Sequence, residues 1–330
     1  NKMKTIYFHI GYPKAASTFI QKNIFKNKDK VYFINDYHWD EIMQFSKLIF
    51  WSENFEFEKN FIHKSEFLLN TPKDMINVIS HEGYTNFSSN PDFDTNEIYI
   101  RLKKISDHLM IKFKFFFVIR KQTEYIMSRY AQGHGITGFY SVNPKFLKFG
   151  ELKSYFYRDK KTKDEIKAFD TFNYFQTFLN LKNLFEEEPK VFIFEDLTNS
   201  PKQFTKNIFE YIGLKYDSSA ENLNLDVKNV GRKTHDGEYF RKKNIYHKPY
   251  EGILNILTKV IPFKNFFLHL FSREIKDKIK ILSYKFDRIL HGHDRIVLSK
   301  NDKFKIKQYY NSSNKKLSKI IHRNLEDLGY

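Results

Sequence analysis

At 330 residues and 39.9 kDa the chain has room for one large α/β domain and is too long for a small stapled module. It has no cysteine, which excludes disulfides, thiolate metal sites and thiol nucleophiles together. Lys and Arg number 56 against 39 Asp and Glu, a formal charge of +17. The expected partner is therefore anionic: nucleic acid, a phosphorylated cofactor, an acidic glycan or a membrane surface. The abundance of Lys, Asn, Ile and Phe across the whole chain accounts for part of that excess.

In chain order, Thr5-Ile6-Tyr7-Phe8-His9-Ile10 is a β-branched and aromatic run that stops at Gly11 and predicts a buried strand. Gly11-Tyr12-Pro13-Lys14-Ala15-Ala16 follows as a tight loop, and residues 17–25 carry apolar positions at helical spacing. Strand, loop and helix in that order open a βαβ unit. Further strands are expected at 75–80, 113–119 and 191–194, with helical pattern at 96–109 and 172–185. Ser200-Pro201 ahead of Phe204, Ile208, Phe209 and Ile212, then Gly213, predicts a helix with its cap, first-turn proline and terminal glycine. Residues 304–328 read as two helices separated by Asn311-Ser312-Ser313-Asn314.

Strands alternating with helices imply an α/β fold, a P-loop-like αβα sandwich of three layers with a mostly parallel central sheet and extra C-terminal helices. The expected organisation is one domain over 1–330 with its core at 4–250. Within it, 139–168 forms a polar, lysine-rich insertion or lid, and 251–330 a helical C-terminal extension. The most apolar stretch, 253–271, contains Lys259, Pro262 and Lys264. It suits amphipathic helices on the core or in peripheral contact with a membrane surface better than a span. No leader is legible ahead of the first strand, so a cytoplasmic location is the expectation.

Parallel sheets bind ligands beyond the carboxyl ends of their strands. The first such place, Gly11 to Thr18, joins backbone N–H groups, a helix amino end, a lysine and two hydroxyls, which together suit a phosphate. It is not a Walker A loop, because no glycine stands directly before Lys14 and the lysine comes three residues before Ser17. Phe115-Phe116-Phe117-Val118-Ile119-Arg120 ends a strand on an arginine, with Ser128 eight residues on. An arginine fork bonds two phosphate oxygens at once. A third segment, Phe192-Ile193-Phe194-Glu195-Asp196-Leu197, ends a strand on two carboxylates, to which we assign structural roles such as capping the next helix.

These three segments resemble, in order, the conserved motifs of sulfotransferases that use 3′-phosphoadenosine-5′-phosphosulfate (PAPS), and the carbohydrate and heparan-sulfate branch in particular. Ala16 replaces the family's usual loop glycine, Lys121-Gln122 stand where a proline is usual, and Phe194 replaces a tyrosine. The resemblance spans 5–213. It implies a PAPS donor bound without metal by Lys14, Ala15, Ala16, Ser17 and Thr18 at one end, and by Arg120 and Ser128 at the 3′-phosphate. Arg232 and Lys233, in Asn229-Val230-Gly231-Arg232-Lys233, stand where the family carries a basic loop. It further implies transfer to a carbohydrate hydroxyl, with Lys14 on the leaving group.

For the base, Glu82 in Ser80-His81-Glu82-Gly83-Tyr84 follows a strand directly, as in heparan-sulfate-type members, and His81 is the runner-up. Alternation along the strand sends these two side chains to opposite faces. His291-Gly292-His293-Asp294 lacks i, i+4 spacing and a third ligand, so no metal site is assigned. Two other readings remain: a P-loop-type nucleotide-dependent kinase and a basic nucleic-acid-binding protein. The first wants a Walker lysine and a Mg²⁺-binding Asp, and the second a recognisable binding module. Neither is found in the sequence, and no nucleic-acid partner is expected.

Overall fold

The computed structural model describes residues 3–12, 14–26, 30–85, 95–132, 172–216, 239–242, 293–296 and 298–330. Five parallel strands form its central sheet: β1 (Thr5–Ile10), β2 (Val31–Phe33), β3 (Ile76–His81), β4 (Lys112–Ile119) and β5 (Lys190–Ile193). Their order across the sheet is β2-β3-β1-β4-β5. The chain therefore leaves β1 toward one edge and leaves β4 toward the other. This reversal opens a crevice beyond the carboxyl ends of β1 and β4, the switch point where open α/β sheets hold ligands.

Side-chain alternation assigns the two faces. Phe8 and Phe115, paired across β1 and β4, lie 5.3 Å apart on one face, where Phe115 meets Phe185 at 4.5 Å. His9 and Phe116 are the next pair in register and stack at 5.0 Å on the other. On that second face lies α1 (Ser17–Ile20), which continues through a π turn at Gln21–Phe25. Helix α2 (Ile34–Tyr37) leads into α3 (Trp39–Trp51), which covers the first face together with α5 (Thr95–Leu109), α6 (Gln122–Gln132) and α7 (Tyr174–Leu184), while α4 (Asn54–Ser65) packs on α3 and α5. Helices α8 (Phe194–Asn199) and α9 (Pro201–Ile212) follow β5. Helix α9 buries Phe204, Ile208, Phe209 and Ile212 against α1 and the sheet, with Phe204 6.4 Å from Phe19 and Tyr211 5.7 Å from Phe116. Each such side chain contributes about 1.5–3 kcal/mol of burial. As expected, Pro201 starts α9 and Gly213, at φ 84°, ends it in the left-handed region.

The three-layer α/β arrangement expected from the sequence is the observed one. Within it, β2 and α2 to α4 were not legible. The last helix corrects a second expectation: α10 (Lys300–Ile321) runs unbroken through 311–314. Ser313 Oγ bonds back to Tyr310 O at 2.8 Å, and Asn314 exchanges two buried amide hydrogen bonds with Gln122, at 2.9 and 3.2 Å. Ser313 is thus satisfied within the helix and Asn314 by a partner on another helix, so neither breaks it. The segment 251–330 is also not helical throughout, since β7 (His293–Ile296) pairs antiparallel with β6 (Tyr239–Lys242). The 139–168 insertion and the 253–271 stretch lie outside the described residues. Among the described residues, no helix is long and apolar enough to cross a membrane.

Candidate functional site

The loop after β1 is anchored by a residue the sequence reading passed over. Tyr12 is buried, with its ring against Tyr174 at 4.8 Å and Phe117 at 5.8 Å and its hydroxyl sharing a 2.8 Å hydrogen bond with Thr177. Ala15 N–H donates to Tyr12 O at 3.1 Å and Ser17 Oγ to the same carbonyl at 3.4 Å, closing a tight turn. Lys14 and Ala16 both stand at φ 68°. Left-handed backbone is costly for residues with a Cβ, and two such positions in three residues mark a constrained loop. Left-handed positions within a turn are one way successive N–H groups come to line an anion-binding concavity. Lys14 and Thr18 are exposed, Ala15 and Ser17 buried, and Ala16 is half-buried.

Gly11 shows how closely the neighbouring segments converge. A Cβ there would lie 2.6 Å from Ser17 Oγ, 3.4 Å from His9 Cε1 and 3.5 Å from Glu82 Cγ. Glycine is required at this point by close approach rather than by backbone angle.

At the end of β4, Arg120 reaches the same loop. One guanidinium nitrogen donates to Lys14 O at 3.0 Å, the other lies 3.6 Å from Glu124 Oε2, and Cζ stands 4.5 Å over the Phe194 ring. Tyr174 Oη donates to Arg120 O at 2.6 Å, fixing the backbone as well. The side chain keeps 11 % of its surface exposed. Two loops 106 residues apart in sequence thus meet at the switch point. Ser128, half-buried, lies one turn beyond Glu124 on the same stripe of α6. Arg232, Lys233 and His291 lie outside the described residues.

The end of β3 completes the cluster. Glu82 opens a 3₁₀ turn at Glu82–Thr85. Thr85 Oγ1 donates to Gly11 O at 3.0 Å and Gly11 N–H to His81 O at 3.4 Å, tying this turn to the loop after β1. Glu82 is half-buried beside Gly11, while His81 turns to the other side, 5.3 Å from the Phe50 ring. His81 Nδ1 already accepts Gly83 N–H at 2.9 Å, and burial pushes its pKa down to about 4. That lone pair is engaged by backbone, and of the two candidates Glu82 is the one whose side chain passes beside Gly11. Glu195 and Asp196, read as structural, do bear that role: Glu195 Oε1 accepts Lys121 N–H at 3.4 Å, and Asp196 takes a two-pronged bond from Arg323 at 3.0 and 2.9 Å. Tyr12, Glu124 and Tyr174 were missed. An aromatic immediately after the strand-end glycine and a carboxylate four residues after Arg120 were the available signals.

Below the loop, His9 is fully buried, shares a 2.8 Å hydrogen bond with Ser80, and leaves Nε2 without a partner. Burial pushes its pKa down to about 3. Both His9 and His81 are therefore neutral in the folded chain, while their unfolded counterparts take up protons below about 6.5. Stability is full above that pH and falls as pH drops toward the folded values, with a slope of up to about 1.4 kcal/mol per pH unit for each histidine. Urea midpoints measured from pH 7 to pH 4 are expected to fall steadily. A flat profile would contradict the burial of both rings.

No family model matches the chain, and no curated protein matches it. Among solved structures the chain is similar to a sulfotransferase from Alicyclobacillus acidocaldarius, at 10 % identity and a TM-score of 0.48 over 99 % of this chain and 98 % of that one. It is also similar to the sulfotransferase domain of the Synechococcus PCC 7002 olefin synthase, at 14 % identity and a TM-score of 0.36 over 67 % of this chain and 77 % of that one.

Proposed function

We propose that this chain is a sulfotransferase that moves a sulfuryl group from PAPS to a carbohydrate hydroxyl. The observation that carries the reading is the bond from the Arg120 guanidinium to Lys14 O at 3.0 Å. It brings the Arg120 guanidinium against the loop after β1, at the crevice between β1 and β4, and so supports reading the two as a pair of anion sites. A nucleotide with phosphates at both ends fits such a pair of anion sites better than one with a single phosphate chain.

In this reading the N–H groups of Lys14, Ala16, Ser17 and Thr18 and the exposed Lys14 ammonium hold the 5′ end of the donor, Ala15 N–H being taken by Tyr12 O, and Arg120 and Ser128 hold its 3′-phosphate. The donor supplies an activated sulfuryl group whose departure leaves charge on a phosphate oxygen. Lys14 sits to neutralise that charge as it develops. Glu82 takes the proton from the acceptor hydroxyl while its oxygen bonds to sulfur in line with the breaking bond, so positioning and charge supply most of the catalysis. The acceptor class rests on the basic, aromatic-rich composition, with aromatics at 18 %. Incubation with radiosulfur-labelled PAPS and a panel of glycans is expected to label a saccharide. Transfer of phosphate from ATP–Mg²⁺ to the same panel, with none from PAPS, would overturn the reading in favour of a kinase.

A further inference from the structure

We propose that the segment 322–330 is a clamp that positions Arg120 for the 3′-phosphate, with Tyr330 as its positioning residue. The inference rests on the donor reading above and adds a determinant that lies far from the nucleotide in sequence.

Helix α10 stops at His322, at φ 52°, and the chain folds back on itself. Arg323 N–H donates to Ser318 O at 3.2 Å and Leu325 N–H to Ser318 Oγ at 3.1 Å. Leu325 and Tyr330 are buried. This segment engages two of the three consecutive residues behind Arg120. Phe194 carries the guanidinium on its ring, Glu195 Oε2 accepts the Tyr330 hydroxyl at 2.7 Å, and Asp196 takes the Arg323 fork. The same Glu195 carboxylate accepts the N–H of Lys121, the residue after Arg120. Gly329 approaches from another side, its Cβ position 3.6 Å from Lys121 Cε. One residue further along, Gln122 is paired with Asn314 of α10. The two carboxylates that follow Phe194, the peptide after Arg120 and the start of α6 are thus all fastened, directly or through Glu195, to the stretch 314–330. Burial pushes the Tyr330 hydroxyl well above its ordinary pKa, so it remains a donor throughout the neutral range.

Arginine is a long side chain with much rotamer freedom, and an anion site built on it gains affinity when that freedom is removed beforehand. Fixing Phe194 and the Lys121 peptide does so. Arg120 also bonds Lys14 O, but the Lys14 loop is held independently through Tyr12 and Thr85, so removal of the clamp is felt at the 3′-phosphate while the 5′ end keeps its anchors.

Calorimetric titration of the whole chain and of Tyr330→Phe with adenosine 3′,5′-bisphosphate and with adenosine 5′-monophosphate separates these ends. Tyr330→Phe is expected to weaken the bisphosphate about tenfold, the cost of one hydrogen bond to a charged group, and to leave the monophosphate unchanged. Arg323→Gln, at a half-exposed site, is expected to shift the same ratio and serves if Tyr330→Phe fails to fold. In an Arg120→Ala background neither substitution should change the ratio further. A ratio unchanged in both variants, or both nucleotides weakened equally, overturns the clamp. If the unsubstituted chain itself shows no preference for the bisphosphate, the donor reading falls and the clamp falls with it.

Discussion

Replacing Lys14 with methionine is expected to lower kcat by about a hundred- to a thousandfold, the usual cost of removing a group that stabilises charge only in the transition state. The fold should be unaffected. Lys14 is exposed, and the contact the loop makes through it uses its backbone carbonyl, which Arg120 holds at 3.0 Å. Methionine keeps the stem and deletes the ammonium. In the proposed mechanism the ammonium faces charge that grows as the leaving group departs, so the loss belongs in kcat more than in KM. Steady-state kinetics with PAPS read this split. A variant with unchanged kcat and a raised KM would make Lys14 a binding residue only.

The second large effect is expected for Glu82→Gln, with turnover reduced about a hundred- to ten-thousandfold and nucleotide affinity retained. The glutamine is isosteric, and two ties between this turn and the loop after β1 run through other residues: Gly11 N–H to His81 O and the Thr85 hydroxyl to Gly11 O. The geometry survives while the base is lost. His81 provides the contrast, since its Nδ1 is occupied by Gly83 N–H and its ring lies against Phe50. His81→Gln should cost stability but leave the chemistry of the folded fraction intact. Comparable kcat values for Glu82→Gln and the unsubstituted enzyme would remove Glu82 from the mechanism.

The parts of this fold that could be read in advance are those where local pattern and tertiary role agree. Strands β1, β3, β4 and β5 are runs of Phe, Ile and Val because parallel strands are covered on both faces. The candidate residues Lys14, Glu82 and Arg120 were legible for the related reason that such sheets present their chemistry just past strand ends. By contrast, β2 has three residues, Val31–Phe33, too short for any period to declare itself. Helices α3 and α4 depend on Arg101, whose buried guanidinium caps α3 through Leu48 O and Ile49 O, both at 3.1 Å, and reaches Asn54 at 2.7 Å. Nothing local separates it from the lysines that follow. The run Asn311-Ser312-Ser313-Asn314 reads as a break in isolation and is helix in context because Gln122, 192 residues away, completes Asn314. The bonds from Arg323 and Tyr330 to Asp196 and Glu195 span 127 and 135 residues. Such partnerships leave no trace in spacing.

The most direct measurement is a crystal structure of the chain with adenosine 3′,5′-bisphosphate. The account predicts the 5′-phosphate within hydrogen-bonding distance of the amides between Lys14 and Thr18, and the 3′-phosphate on the Arg120 fork. A nucleotide bound elsewhere, or one lying in the crevice with Arg120 turned away from both phosphates, would contradict it.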